Sequence, residues 1–174
     1  MDLQGSNAQA DSAPTRDDRR IAIEVKPQTE AQHPLGQQLI AFWTTARDAG
    51  RPLSRGDIPS RTIMRLMPHL FLLEPNGDGS DWRFRVFGTA IVQRFGGDAT
   101  NRFISEIYDV NQARGQADIY KGVVIRGAPH VTQGRIQGID RQFLKTEFCH
   151  VPIVPPQPGL SWLLGGAFVF ELPG

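Results

Sequence analysis

The four residues Asn76-Gly77-Asp78-Gly79 constrain this chain more than any others. Each tolerates the left-handed backbone that tight turns require, glycine because it has no Cβ and Asn and Asp because their side chains bond locally. They separate an almost wholly apolar run, Leu70-Phe71-Leu72-Leu73-Glu74, from Trp82-Arg83-Phe84-Arg85-Val86-Phe87, in which large apolar and charged side chains alternate. Two such runs joined by such a turn read as an antiparallel hairpin. The rest of the fold has to be arranged around that hairpin.

Upstream, Leu35, Leu39, Phe42, Trp43 and Ala46 recur at helical spacing within residues 29–49, and Gly50 follows as a stop. Asp57 ahead of Ile58-Pro59 predicts the cap of a short second helix carrying Ile63, Met64 and Met67, ended by Pro68. Downstream, residues 90–95 and 100–108 predict short helical pieces. Residues 113–126 predict a longer helix with Ile119, Tyr120, Val123 and Val124 inward and Gly127 as its stop. Three strand segments follow, at 130–137, 142–154 and 160–171, the last two joined by Pro155-Pro156-Gln157-Pro158-Gly159. This order predicts an α+β fold: a five-stranded antiparallel sheet with helices covering one face, and an additional N-terminal helix. Residues 1–28 are polar and lack a sustained apolar period, which predicts a flexible tail ahead of a domain spanning 29–174. Within that tail, Ile21-Ala22-Ile23-Glu24-Val25 alternates as a short edge strand would.

Charge excludes some partners. Nineteen basic and 18 acidic residues leave a formal net charge of +1, which gives no field to gather nucleic acid or an anionic membrane surface. No segment approaches the roughly 20 apolar residues of a membrane span, and the first 20 residues lack the apolar core of a signal peptide. A cytoplasmic location is therefore expected. The single cysteine, Cys149, allows no intrachain disulfide and no Cys-based zinc cluster.

Candidate chemistry is sparse. His33, His69, His130 and His150 form no pair spaced to put two metal ligands on one helical face. Leu164-Gly165-Gly166-Ala167 lacks the lysine and hydroxyl of a phosphate loop; paired glycines in a strand mark a bulge or close packing. Arg83 and Arg85 share a strand face under period-two alternation, with Phe87 on the same side. They suit either an anion contact or a solvated face with a structural ion pair. A small α+β isomerase or hydrolase is the alternative from another class. Asp118, Glu147 and His150 are its only candidates for acid–base work, and no pairing among them follows from spacing. No catalytic residue, metal site or cofactor is assigned. Phe87, Phe95, Phe103, Tyr108 and Tyr120, with Ile91 and Trp162, could wall a pocket between sheet and helices, or simply pack a core.

Trp43, the segment Arg51-Pro52-Leu53-Ser54-Arg55-Gly56-Asp57-Ile58-Pro59, Leu66-Met67-Pro68-His69-Leu70 and Phe84-Arg85-Val86-Phe87-Gly88-Thr89 occur in an order that resembles a stand-alone PAS domain family of alphaproteobacteria. The likeness runs from about Leu35 to Phe170, with Arg85, Gly88 and Thr89 as its motif residues. It departs at Gly97-Asp98-Ala99-Thr100-Asn101, where the family's aliphatic residue and second glycine are replaced, although Asn still accepts a left-handed turn. The resemblance implies a regulatory sensor or interaction module of bacterial signal transduction and no enzyme. It would act on a signalling protein partner whose class, kinase or cyclase, the sequence leaves open, as a homodimer, with a small-molecule ligand as an option. Leu35, Leu39, Phe42 and Trp43 are then the candidate dimer or partner surface, unless that helix packs on its own sheet. Haem and flavin are not expected: residues 90–127 contain no His, and Cys149 lies in a late strand.

Overall fold

The computed structural model describes residues 24–139 and 142–171. In chain order these form β1 (Glu24–Gln28), α1 (Pro34–Asp48), β2 (Leu70–Asn76), β3 (Asp81–Phe87) and α2 (Thr89–Phe95). Then come α3 (Ile104–Ile107), α4 (Val110–Arg126), β4 (His130–Gln137), β5 (Phe143–Ile153) and β6 (Trp162–Val169). The strands make one sheet in the order β1-β4-β5-β6-β2-β3, and every neighbouring pair is antiparallel.

The anticipated hairpin is β2–β3. Gly77 and Gly79 take positive φ values of 53° and 81°, and the Gly79 N–H closes the turn on the Asn76 carbonyl at 3.0 Å. The sheet has six strands where five were expected. The extra one, β1, pairs with β4 from Glu24↔Arg135 to Gln28↔Val131. It falls inside the stretch assigned to a flexible tail, so the ordered domain begins earlier than residue 29. Its main-chain ladder does not depend on an apolar pattern, which is why Lys26 and Pro27 hid it. Residues 1–23, including Ile21 to Ile23 of the anticipated edge strand, lie outside the described residues.

α1 starts at Pro34, later than the expected residue 29, because Pro34 fixes the first helical φ and His33 caps it, with Nδ1 accepting the Leu35 N–H at 3.1 Å. The second helix is replaced by short 3-10 turns at Arg55–Asp57, Arg61–Ile63 and Met67–His69. Between Pro59 and Pro68 the backbone closes i to i+3 hydrogen bonds, Ile63 N–H to the Ser60 carbonyl and Leu66 N–H to the Ile63 carbonyl, which are 3-10 turns. Asp57 instead serves the loop, accepting from the Ser54 N–H at 2.7 Å and the Ser54 hydroxyl at 2.9 Å.

Helices cover both faces of the sheet. On one face Leu39 and Trp43 of α1, with Leu53, Ile63 and Leu66, pack against Leu70, Leu72, Cys149, Val151, Leu164 and Phe168. On the other, Ile91, Ile104, Ala117, Tyr120 and Val123 of α2–α4 pack against Phe71, Leu73, Trp82, Phe84, Leu163 and Ala167. A strand dry on both sides needs apolar residues at successive positions, which explains the run at the start of β2. The glycine pair of β6 serves close packing. The Phe71 ring lies over Gly165 on one face and the Phe168 ring over Gly166 on the other, each filling the space a Cβ would need.

Candidate functional site: a cavity under the helical layer

The strand β3 carries a bulge. Phe71 pairs with Phe87 and Leu72 with Val86, but Leu73 pairs with Phe84, so Arg85 is the extra residue. The alternation changes phase there. Phe87 joins Phe84, with ring centroids 5.1 Å apart, and does not share a side with Arg83 and Arg85 as strict alternation predicts. Directly after it, Gly88 caps α2; a Cβ at Gly88 would meet the carbonyls of Pro68 and Leu70. Thr89 opens the helix. At the variant turn Asn101 takes the left-handed geometry, φ 66°, its N–H donates to the Phe84 carbonyl at 2.7 Å, and Asp98 accepts from the Thr100 N–H and hydroxyl.

Bulge, cap and turn hold α2 and α3 off the sheet and leave a cavity of about 560 Å³. Its walls are Phe71, Phe84, Phe87, Phe95, Tyr120 and Phe148, with Ile91 and Ala167 between them. Polar groups are few: Tyr108, Tyr120, Gln116, Thr132 and His150. Asp98, Arg102 and Glu106 also line it. Their side chains are engaged by the surrounding loop: Arg102 donates to the Glu106 carbonyl at 3.1 Å and the Glu106 carboxylate accepts the Phe103 N–H at 2.6 Å.

His150 is 4 % exposed, and its Nδ1 is buried with no hydrogen-bond partner. Its ring contacts Phe71 edge-on at 5.6 Å and Tyr120 at 5.2 Å between centroids. Burial, with His130 adding to it, lowers its pKa from 6.5 to about 3, so the ring is neutral. Burial pushes the Tyr108 phenol up to about 12 and raises that of Tyr120 well above 10, the latter with a contribution from Tyr108. The buried part of the cavity therefore carries hydrogen-bonding groups without charge, and the charges of Asp98, Arg102 and Glu106 sit at exposed or half-buried positions.

Of the residues proposed as pocket walls, Phe87, Ile91, Phe95 and Tyr120 line the cavity, as does Tyr108. Phe103 and Trp162 do not. Phe103 lies under the Arg83 guanidinium, 5.4 Å from ring centre to Cζ. Trp162 packs on the α1 face, because Leu163 and Ala167 set the opposite phase in β6. Phe71, Phe84, Phe148, Thr132 and His150 were missed. Alternation in β5 separates Phe148 and His150 from Glu147 and Cys149, but does not say which set meets the cavity.

The remaining candidates are dispersed. Arg83 and Arg85 both bind Glu74 Oε2, at 2.8 and 3.3 Å, which is the structural ion pair and not an anion site. Asp118 is exposed on α4. Glu147 is fully buried on the α1 face, where it accepts from the Gln32 N–H (2.8 Å), the His33 N–H (3.0 Å) and Gln133 Nε2 (2.8 Å). Asp118, Glu147 and His150 are thus not brought together. Cys149 is buried beside Glu147, and burial with that carboxylate raises its thiol pKa. Among the described residues no three His, Cys, Asp or Glu side chains gather as a metal site. No helix among them is long and apolar enough to cross a membrane. Leu39 and Trp43 face inward, and the Trp43 indole donates to the Pro152 carbonyl at 2.7 Å; Leu35 and Phe42 are half-buried beside them. Half of the anticipated docking stripe is therefore core of this chain.

An antiparallel sheet with a helical layer held over a cavity walled mainly by aromatic side chains makes this an α+β module built around an internal cavity. The family model for the PAS domain matches residues 31–167, and the chain belongs to that family. No curated protein and no solved structure matches it significantly.

Proposed function

We propose that this domain is a small-molecule receptor whose cavity occupancy is read out at α1 by a protein partner or a second copy of the chain. One observation carries the reading. On β5, Phe148 and His150 face the cavity while the intervening and flanking Cys149 and Glu147 face α1, and Glu147 holds the backbone that leads into that helix. A ligand that shifts Phe148 or His150 displaces the same strand that anchors α1. Coupling of this kind requires only that the ligand favour one arrangement of the strand over another. The outward edge of α1, with half-buried Leu35 and Phe42 beside exposed Gln38 and Ala41, is where the partner would dock. Action in the cytoplasm on a signalling protein belongs to the same proposal.

A fragment screen by ligand-observed NMR tests the reading, with Ala167→Phe as the blocked cavity. Fragments that compete for one site in the wild type and are lost in the variant support it. Absence of any fragment that distinguishes the two proteins contradicts it.

A further inference from the structure

We infer that the occupant of the cavity is an uncharged, flat aromatic molecule carrying a hydroxyl group that hydrogen-bonds to His150; this rests on the cavity being a ligand site. The His150 imidazole is unpaired among the described residues. Buried polar atoms are almost always hydrogen-bonded, and each exception asks for a partner that the protein does not supply. Among the described residues none bonds to either ring nitrogen of His150, although the residue is 4 % exposed and forms part of the cavity wall. A neutral imidazole offers one N–H and one acceptor nitrogen. A hydroxyl can both donate and accept, so it satisfies whichever nitrogen is presented. A carboxylate could only accept and an ammonium only donate.

Charge narrows the class further. Burying an ion beside Phe71, Phe84 and Tyr120 without a counter-ion is strongly unfavourable. The charged side chains that line the cavity lie toward solvent, Asp98 and Glu106 exposed and Arg102 half-buried, and hydrogen-bond within their own loop, whereas the buried lining around His150 supplies no counter-ion. The Tyr120 ring contacts His150, His130 is its partner across the β4–β5 ladder, with a pKa lowered chiefly by burial, and the hydroxyls of Tyr120 and Thr132 line the same cavity without charge. Shape supplies the last element. Phe71, Phe84, Phe87, Tyr120 and Phe148 present ring faces and edges, which favour another ring over a branched aliphatic chain. A volume of about 560 Å³ lies within the range of small-molecule sites and admits a fused two-ring molecule.

The test uses 2-naphthol, naphthalene and 2-naphthoate, which share one skeleton and differ in the polar group, titrated into the whole chain at near-neutral pH. The expected result is that 2-naphthol binds about tenfold more tightly than either of the others, the scale of one buried hydrogen bond. In His150→Phe, whose ring can occupy the same aromatic surroundings, the preference over naphthalene should fall below about threefold while naphthalene still binds. A second measurement needs no variant: the imidazole nitrogen resonances of His150 in isotopically labelled protein should move on adding 2-naphthol and stay put with naphthalene. Equal or tighter binding of 2-naphthoate, a preference that survives His150→Phe, an unmoved His150 resonance, or no binding of 2-naphthol overturns the inference. If fragments of other chemistry still occupy the cavity in the screen described above, the receptor reading stands and only the ligand class fails. If none does, both fail.

Discussion

Glu147 and His150 lie three residues apart on β5 and point to opposite faces of the sheet. The carboxylate of Glu147 holds the N–H groups of Gln32 and His33 at the approach to α1, whereas His150 is part of the cavity wall under α2–α4. One strand thus carries both the anchor of the N-terminal helix and the polar group of the cavity.

Removing the anchor should loosen α1 before it disturbs the cavity. Glu147→Ala leaves two backbone donors and Gln133 Nε2 without their acceptor in a buried setting. Loss of such a hub costs about 2–4 kcal/mol. Denaturant unfolding measures the loss, and native-state hydrogen exchange should show the largest gain in exchange at the start of α1. A loss under about 0.5 kcal/mol, the scale of an ordinary surface substitution, would show that the carboxylate does not hold the helix.

Trp43 gives a test of whether its stripe is core or docking surface. The side chain is 5 % exposed and its indole donates to the Pro152 carbonyl. Trp43→Asp should therefore unfold the chain, since it opens a large cavity and buries a charge in it. Circular dichroism with light scattering decides the matter. A folded monomer would mean that Trp43 belongs to a dimer face.

Two glycine-to-alanine changes should have opposite signs. At Gly165 a Cβ is driven into the Phe71 ring, whereas at Gly115, in the middle of α4, it meets nothing within 4 Å. Gly165→Ala should cost about 1–3 kcal/mol or more through overpacking. Gly115→Ala should stabilise by about 0.5–1 kcal/mol through helix propensity. Thermal melts of the two variants side by side check both signs.

Acid should weaken the fold partly through His150. Its pKa falls from 6.5 in the unfolded chain to about 3 in the folded one. Below 6.5 the unfolded chain takes up a proton that the folded chain refuses, so this contribution is complete above 6.5 and is lost as pH falls toward 3. The slope approaches about 1.4 kcal/mol per pH unit. His69 and His130 shift in the same direction, mainly through burial, so the informative quantity is the difference between wild type and His150→Phe. The variant should lose less stability on acidification; parallel curves would contradict a buried neutral ring.

The fold was largely legible because its signals are local. The turn at Asn76–Gly79, the stop at Gly127 and the runs that became β4, β5 and β6 are properties of neighbouring residues. The cavity was harder to read. Helices on both faces make successive strand residues apolar, so alternation separates two sets without saying which one meets the helices. For that reason the pattern does not tell that Trp162 meets α1, or that Phe148 and His150 meet the cavity. The bulge at Arg85, which brings Phe87 to Phe84, leaves no mark in composition because it is fixed by pairing with β2. β1 was obscured because main-chain pairing, not its side chains, places it.

The most direct test of the coupling through β5 is hydrogen exchange at the Gln32 and His33 amides, with the cavity empty and then filled by a fragment that Ala167→Phe excludes. Filling the cavity should change protection of these two amides at least threefold, across the sheet from the ligand. Changes confined to α2–α4 and the cavity face of the strands, with Gln32 and His33 unmoved, would contradict that coupling.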